Sequence, residues 1–282
     1  MIKNYLTVDV EDYFHVSAFS NRVRYEEWNN YESRVVSNTK RILEILNRAG
    51  DIKGTFFILG WVAEKHPGLV KEIDAQGHEI GCHSYRHKLV YDSTPKEFRS
   101  DLIKARDILE GITGKKIFGY RAPSYSITNK SLWAFEILAE LGFTYDSSIF
   151  PISHDRYGIP DAPRFNYWLP EHGLREYPIS TAKILGIKVP VSGGGYLRLF
   201  PYWFTKIALK KINYDEMQPF VFYIHPWEID PQQPRIKGAT LFSRFRHYNN
   251  LEKAENRFTK LLQDFQFTPI IPQFEQSECL SV

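Results

Sequence analysis

The chain has 282 residues, of which 43% are hydrophobic, 24% charged and 15% aromatic, and its formal net charge is +3. This composition excludes collagen-like and intrinsically disordered proteins and is typical of one large globular domain, or at most two. The small net charge argues against a nucleic-acid-binding protein, and the two cysteines, Cys82 and Cys279, form neither a disulfide framework nor a zinc-finger spacing.

The N-terminal residues and the apolar runs bear on the cellular compartment. The first nine residues contain no apolar stretch of the roughly 7–15 residues that a signal peptide needs. No apolar run approaches the roughly 18–20 residues of a membrane span. We therefore expect a cytoplasmic protein without a transmembrane segment.

Short β-rich runs alternate with amphipathic segments in the first half of the chain. The predicted strands cover residues 5–10, 55–59, 79–82, 117–120 and 143–146, and the helices between them cover residues 37–49, 67–76 and 131–141, with a further helix starting after residue 94. That further helix has the clearest start, because Thr94 and Glu97 form a capping box around Pro95. This βαβα order predicts a parallel sheet covered by helices, either open or closed into a barrel.

The second half begins with an irregular segment rich in proline, glycine and aromatic residues, at about 151–201. A stretch this long without clear helices is expected to contain short strands and to form part of the site. A helix at 202–211, a strand at 220–224 and a helix at about 251–265 follow. Because no linker or internal repeat is visible, we predict one domain over residues 1–282, with a C-terminal helix and strand at about 249–272.

Residues of catalytic type follow several of the predicted strands. Parallel α/β folds place catalytic groups at the carboxyl ends of strands. The residues found there are Asp9, Glu11, Asp12, His83, Arg121, Asp146 and His225. Their shared placement predicts a single site at one edge of the sheet.

His83 and His87 are four positions apart, so one turn of helix would direct both imidazoles at one cation. Two histidines and a carboxylate form the ligand set of a catalytic zinc with an open position for water. Asp9 has three interpretations: a metal ligand, a general base or a buried capping carboxylate. Arg121 is either a structural cation or one that holds a base ionised, and His225 is either a core histidine or part of the site.

Five sequence motifs occur in an order that resembles the polysaccharide deacetylases of carbohydrate esterase family 4, the NodB-homology domain. The motifs are Thr7-Val8-Asp9-Val10-Glu11-Asp12, His83-Ser84-Tyr85-Arg86-His87, Arg121-Ala122-Pro123-Ser124-Tyr125, Tyr145-Asp146-Ser147-Ser148 and Ile224-His225-Pro226. The Val-Asp-Val-Glu-Asp run resembles, more narrowly, the branch linked to exopolysaccharide and surface-glycan loci. The resemblance spans roughly residues 5 to 230.

The resemblance implies a distorted (β/α) barrel with about seven parallel strands and one divalent metal. Zinc is the first expectation for the metal, with cobalt, nickel or manganese as alternatives. By position, His83 and His87 would be metal ligands and Asp9 the general base, oriented by Arg121. His225 would be the general acid, with Asp146 near it to tune its protonation.

Two departures from the family pattern leave alternatives open. The first motif has Glu11 and Asp12 after an intervening valine, so either could be the third metal ligand, although residues two apart share one face of a strand and this favours Glu11 beside Asp9. Ser124 stands between the proline and Tyr125, so either residue could donate the backbone N–H that stabilises the oxyanion.

The predicted activity is metal-dependent N-deacetylation of an N-acetylated sugar in a surface polysaccharide, or in its lipid-linked or nucleotide-linked precursor, with release of acetate. The alternatives are a cyclic amide or imide hydrolase of the same fold and an inactive glycan-binding module. Sugar-stacking or anion-pairing candidates in the second half are Trp168, Tyr196, Arg198, Trp203 and Trp227. The basic stretch from Arg235 to His247 is usually a solvated face, and contact with a membrane surface is its alternative.

Overall fold

The computed structural model describes residues 2–270. Its strands are β1 Lys3–Val10, β2 Thr55–Ile58, β3 Glu79–Cys82, β4 Gly119–Tyr120, β5 Tyr145–Asp146, β6 Tyr167–Leu169, β7 Leu174–Glu176, β8 Thr181–Ile184, β9 Ile187–Pro190, β10 Val221–Ile224 and β11 Gln266–Thr268. Its α-helices are α1 Val35–Arg48, α2 Gly60–Lys65, α3 Pro67–Ala75, α4 Pro95–Thr113, α5 Ala134–Glu140, α6 Gly194–Leu199, α7 Tyr202–Tyr214, α8 Leu241–Tyr248 and α9 Leu251–Asp264.

One main sheet organises the described residues, in the order β10-β1-β2-β3-β4-β5-β7-β6. Neighbouring strands from β10 to β7 are parallel, and only the edge strand β6 runs antiparallel, to β7. β11 is parallel to the start of β1, and β8 and β9 form a separate hairpin. This curled parallel sheet confirms the predicted α/β class, with seven parallel strands along the main path.

β1 is an interior strand of the sheet, flanked by β10 and β2, and its side chains are buried on both faces. Seven of its eight residues are buried, and Val8 is in register with Phe56 of β2 and Ile224 of β10. Each of these strands therefore ends at the same edge of the sheet. That edge is where the polar residues after β1, β3, β4 and β10 lie.

The helix starting after residue 94 is the best-predicted helix of the chain. Thr94 Oγ1 accepts a hydrogen bond from Glu97 N at 3.2 Å, and Glu97 Oε2 accepts one from Thr94 N at 2.8 Å. Gly114 ends α4 in the left-handed region, with φ of 69°. The capping box predicted from the sequence is confirmed.

The side chains form two cores. The larger one packs the helices against the outer face of the sheet. The smaller one fills the inside of the curl and is mostly aromatic, with Tyr5, Phe57, Tyr145, Tyr177 and Tyr223. The T-shaped contact of Tyr5 with Tyr177, at 5.2 Å between ring centroids, links β1 to the segment after β7.

Several predictions need correction or lie outside the described residues. The sequence patterns did not predict α2, α6 or α8, whereas the four strands in the segment at 151–201 confirm the short strands expected there. Cys279 and the end of the predicted 249–272 element lie beyond residue 270. Between residues 2 and 270, every helix is too short or too polar to cross a bilayer.

Candidate active site

A cleft of about 300 Å³ opens at the carboxyl ends of β1, β4 and β10. Its inner wall carries polar side chains from the strand ends, among them Asp9, Glu11 and His225. Its outer wall is formed by the irregular segment and by α6 and α8. The predicted convergence of these strand ends is therefore present.

Three buried side chains could hold a metal ion. One ligand atom from each of Glu11, His83 and His87 lies within 4.8 Å of the other two. Glu11 follows β1 in a tight turn, in which its N–H donates to Asp9 O at 3.0 Å, and His83 follows β3. The histidines do not share a helical turn as predicted, because Ser84 and His87 have φ of 63° and 52°; a bend between them directs both rings inward.

The chemistry of these atoms suits a divalent cation. His83 Nδ1 donates to Arg121 O at 2.8 Å, which leaves Nε2 without a proton and available as a ligand. Burial lowers the pKa of His83 to about 4, so the ring is neutral at physiological pH. Glu11 Oε2 lies 2.6 Å from His87 Nε2, yet no described residue gives this oxygen a hydrogen bond of normal geometry. Two close, unbridged acceptor atoms fit a site built for a cation.

Glu11 is charged despite its burial. Burial alone would raise the pKa of its carboxyl group, but His87, His225 and His83 lower that pKa well below the ordinary range. Trp227 Nε1 donates to Glu11 Oε1 at 3.3 Å and orients the carboxylate. A conventional carboxylate ligand has these properties.

Asp12 has a different role, which corrects its inclusion among the metal ligands. Its Oδ2 accepts hydrogen bonds from Ser33 Oγ and Arg34 N at 2.8 Å and from Val35 N at 3.1 Å, at the start of α1. Tyr13 N donates to its Oδ1. Because these bonds occupy both oxygens, Asp12 is a buried capping residue, and Glu11 is the carboxylate that faces the histidines.

Asp9 and Arg121 form a buried ion pair at the centre of the cleft. Arg121 Nη1 donates to Asp9 Oδ1 and to Thr7 Oγ1, both at 2.7 Å. Its other donors bond Ser147 O at 3.0 Å and Ser147 Oγ at 2.7 Å, and its guanidinium lies 4.4 Å from the centre of the Phe57 ring. The arginine is therefore fixed, and it holds Asp9 in one orientation.

His225 lies next to both acidic side chains. Its Nε2 is 3.8 Å from Asp9 Oδ2 and 3.5 Å from Glu11 Oε1. Burial lowers its pKa, but the hydrogen bond with Glu228 and the negative charges of Glu11, Glu228 and Asp9 outweigh that effect and raise it to about 9. His225 is thus a cation next to the general-base candidate.

The carboxylate that faces the other side of His225 is Glu228, which sequence reasoning missed. Glu228 Oε1 lies 3.5 Å from His225 Nδ1 and 3.3 Å from Arg198 Nη2. A Cβ on Gly194 would lie 1.2 Å from Glu228 Oε2, so only glycine allows the carboxylate to sit there. The glycine run before α6 could have signalled such a close approach.

Two predicted site residues, Arg198 and Asp146, do not line the cleft because buried partners hold each of them. Arg198 is buried and bonds Glu228, His247 O and Asn249 O, so its guanidinium is not free to pair with an acidic substrate. Asp146 does not contact His225. It accepts from Ser148 Oγ at 2.6 Å and from Ser148 N at 2.9 Å, and it shares a buried position with Glu176.

Asp146 and Glu176 form a buried carboxyl pair in which burial raises the pKa of both groups. Burial, the charge of Asp146 and a hydrogen bond with it raise the pKa of Glu176 well above its ordinary value. Glu176 Oε1 accepts from Ile149 N at 2.9 Å, and Oε2 receives no bond from any other donor among residues 2–270. The pair joins β5 to β7 and is structural in position.

Of the predicted substrate contacts, Ser124, Tyr125, Tyr196 and Trp227 line the cleft. Trp168 on the edge strand β6 is 48% exposed and Trp203 on α7 is 63% exposed, and neither is part of the cleft wall. Trp227 is itself buried, and its ring stacks on His225 and on His247. It supports the site more than it offers a free face to a sugar.

The backbone at Ser124 and Tyr125 is unusual. Both residues have positive φ, 51° and 55°, a conformation that costs energy for residues other than glycine and that concentrates at functional sites. Tyr125 N donates to Ala122 O at 3.0 Å, so that N–H is already used. Ser124 is accordingly the remaining candidate for an oxyanion donor.

The outer wall contains residues that no motif indicated. His154 stacks on Tyr157 with ring centroids 3.8 Å apart, and the hydroxyl groups of Tyr157 and Tyr196 are 3.3 Å apart. Phe245 and Arg246 of α8 complete this wall. Their positions depend on the packing of the irregular segment and of a helix that was not predicted.

Comparison with known proteins divides the chain into two matched segments. Residues 28–145 match the family model described as polysaccharide deacetylase, and residues 147–275 match a domain of unknown function, DUF3473. The chain is similar to a peptidoglycan-N-acetylglucosamine deacetylase of Bacillus cereus, with 38% identity over 99 residues, 35% of this chain and 36% of that protein. The matched segments span about a third of the length of the first curated relatives, 32% to 36%.

Solved structures share the fold. A provisionally named polysaccharide deacetylase from Mycobacterium smegmatis has a TM-score of 0.60 and 17% identity, over 100% of this chain and 93% of its own. Puue allantoinase has a TM-score of 0.58 and 16% identity, over 98% and 90%. At these identities the likeness concerns the fold alone.

The cleft draws on three parts of the sequence. Asp9 and Glu11 precede the first matched segment, His83, His87 and Arg121 lie within it, and His225 lies within the second. Strands of all three parts are joined in one sheet. The first half of the chain is therefore similar in sequence to polysaccharide deacetylases.

Proposed function

We propose that the protein is a metal-dependent N-deacetylase of an N-acetylated saccharide, and that residues 1–282 act as a single domain. The observation that carries this proposal is the meeting, in one cleft, of the Asp9–Arg121 pair, the Glu11, His83 and His87 group, and His225. The similarity of the chain to deacetylases supports it.

Glu11, His83 and His87 would hold the metal, and zinc fits two imidazoles and one carboxylate. When bound, such a cation polarises an amide carbonyl and lowers the pKa of water to about 7. His83 is kept neutral and oriented by its bond to Arg121 O, and Glu11 is oriented by Trp227. The protein thus presents His83 and Glu11 in the protonation states that a metal ligand requires.

Asp9 is the proposed general base. The bond from Arg121 fixes one carboxylate oxygen and stabilises the ionised form, and Oδ2 remains directed at the cleft next to His225. From this position Asp9 takes a proton from the attacking water, while the backbone N–H of Ser124 stabilises the negative charge that develops on the carbonyl oxygen.

His225 is the proposed general acid. The C–N bond of the acetamido group breaks only if the nitrogen leaves as an amine, so a proton must reach that nitrogen. His225 lies at the cleft wall, and Glu228 on its Nδ1 side fixes the ring so that Nε2 faces the reacting groups. The products are acetate and a free amino sugar.

The fold similarity to an allantoinase keeps cyclic amides in the test as a second substrate class. The exopolysaccharide branch, the cytoplasmic location and the choice between polymeric, lipid-linked and nucleotide-linked substrates stay predictions.

The experiment combines metal analysis with product analysis. Wild type reloaded with zinc is expected to hold about one equivalent of metal and to release acetate from N-acetylated oligosaccharides. Asp9→Asn is expected to keep the metal and lose acetate release. Turnover of a cyclic amide without acetate release, or binding of saccharides without turnover by both proteins, would contradict the proposal.

A further inference from the structure

Helix α8 presents apolar side chains to solvent instead of to the core. Leu241, Phe242 and Phe245 are 82%, 61% and 57% exposed, whereas Ser243 and His247 on the same helix are buried. Water-facing aromatic residues on one helix are unfavourable unless a partner covers them, and such patches mark contact surfaces. We call the exposed residues 241, 242, 244, 245 and 246 the α8 surface.

The charge around the α8 surface has one sign. Residues 231–251 contain four basic residues, Arg235, Lys237, Arg244 and Arg246, and no aspartate or glutamate. Within the described chain, the ion pair found for these four is Arg246 with the exposed Asp155, at 3.9 Å. The surface therefore combines exposed apolar groups with an excess of positive charge, which Asp155 balances only at Arg246.

The same surface adjoins the cleft. Phe245 and Arg246 line the outer wall of the cleft together with Leu199, which is 47% exposed. Exposed apolar side chains of α6 and α8 thus border the same cleft.

We propose that the α8 surface docks onto an anionic lipid membrane. Apolar and aromatic residues on a short helix enter the boundary between headgroups and acyl chains, and arginine and lysine next to them pair with lipid phosphates. A second copy of this chain is a poorer fit, because a symmetric contact would place the same four cations opposite one another.

Docking in this orientation turns the cleft mouth toward the bilayer. Resting on the function proposed above, this geometry favours an N-acetylated saccharide attached to a lipid phosphate over a free polymer. The docking itself does not depend on catalysis, so the two proposals can fail separately.

The test measures co-sedimentation of the full chain with vesicles of phosphatidylcholine alone and of phosphatidylcholine mixed with phosphatidylglycerol. Wild type is expected to bind the mixed vesicles and not the neutral ones. Arg244→Gln with Lys237→Gln should weaken binding by about fivefold for each charge removed. Leu241→Ser with Phe242→Ser should weaken it by roughly tenfold or more.

Matched controls separate this surface from general stickiness. Leu185→Ser with Ile187→Ser changes two exposed apolar residues on the β8–β9 hairpin, and Lys115→Gln with Lys116→Gln removes two exposed charges elsewhere. Both control proteins should bind as wild type does. All variants should release acetate from a short soluble substrate at the wild-type rate.

Three outcomes would overturn the proposal. One is equal binding to neutral and anionic vesicles by every protein, and another is equal loss in the controls. The third is a wild-type dimer in sedimentation velocity that Leu241→Ser with Phe242→Ser dissociates, with no vesicle binding by either protein. The last result would assign the surface to a second copy.

Discussion

The two halves of the chain contribute different parts of the cleft. Up to Asp146, strands and helices alternate, and the loops after β1, β3 and β4 supply the ion pair and the metal-capable group. Beyond it, the four strands β6 to β9 follow one another without a helix between them, and this half supplies His225, Glu228 and the aromatic outer wall. In the mechanism proposed above, the groups that would bind the metal and activate the attacking water come from the regular half, whereas the group that would protonate the leaving amine and the wall that would contact the substrate come from the irregular half.

Removing two of the three candidate metal ligands, Glu11, His83 and His87, should have the largest effect on acetate release. His83→Ala with His87→Ala eliminates two of the three ligands, so elemental analysis should find no bound metal, and acetate release should fall by about 1000-fold or more. His172→Ala, a histidine outside the cleft, is the control and should retain both. If the double variant keeps its metal, the first half does not hold it in the way proposed.

The next largest effect is expected for Asp9, the proposed general base in the first half. Asp9→Asn keeps the shape of the side chain but removes its proton affinity, so kcat should fall by about 100- to 10,000-fold while metal content is unchanged. Because Arg121 would lose its buried counter-charge, the free energy of unfolding should also fall, by about 3–5 kcal/mol. A thermal melt and a metal assay on the same preparation distinguish lost chemistry from lost folding. Near-wild-type kcat would exclude Asp9 as the base.

Substitution of Glu228 tests whether this carboxylate orients His225 in the second half. Glu228→Gln weakens the hold on His225 and leaves Arg198 without its ion pair, so we expect kcat to fall about 100-fold with a smaller change in KM. Glu216→Gln breaks the partly buried pair with Arg164 far from the cleft and is the matched control. Equal effects of the two substitutions on kcat would mean that Glu228 acts only through stability.

The smallest effect is a change in stability, expected for Asp146 and Glu176, the buried carboxyl pair that joins β5 to β7. The pKa of Glu176 in the folded protein is raised far above that of the unfolded chain, so its contribution to stability is complete below the unfolded pKa and is lost as the pH rises toward the folded pKa. Glutamine mimics the protonated side chain, so Glu176→Gln should not lose this stability as the pH rises.

The melting temperature of Glu176→Gln should therefore exceed that of wild type by a few degrees at pH 8, about 2–4 °C for each kcal/mol, and by less at pH 5. Differential scanning calorimetry at the two pH values makes the comparison. If the melting temperatures of wild type and Glu176→Gln change by the same amount between the two pH values, Glu176 is not protonated in the folded protein.

Much of the fold and site in the first half could be predicted from the sequence because the signals there are local. Strand β1 and the residues after it are adjacent in the chain, and parallel pairing brings the ends of β1, β3, β4 and β10 together without further information. The sequence left Glu11 and Asp12 open as the third ligand because the bonds of Asp12 to Ser33 and Arg34 depend on where α1 starts. Local spacing could not distinguish a capping carboxylate from a ligand.

Residues of the second half were harder to predict because their partners are distant in sequence. Arg198 was a candidate to pair with an acidic substrate, but Glu228, thirty residues away, pairs with it in the core. Asp146 was assigned to His225, yet its buried neighbour is Glu176. Such pairs are set by tertiary packing, which no single-chain periodicity encodes.

The most direct test of the central claim is the release of acetate from N-acetylated oligosaccharides by zinc-loaded wild type, with quantification of the free amine formed. We predict equal amounts of acetate and amine, abolished by a chelator and restored by zinc. A protein that binds its metal yet releases no acetate from any N-acetylated saccharide offered would contradict the account.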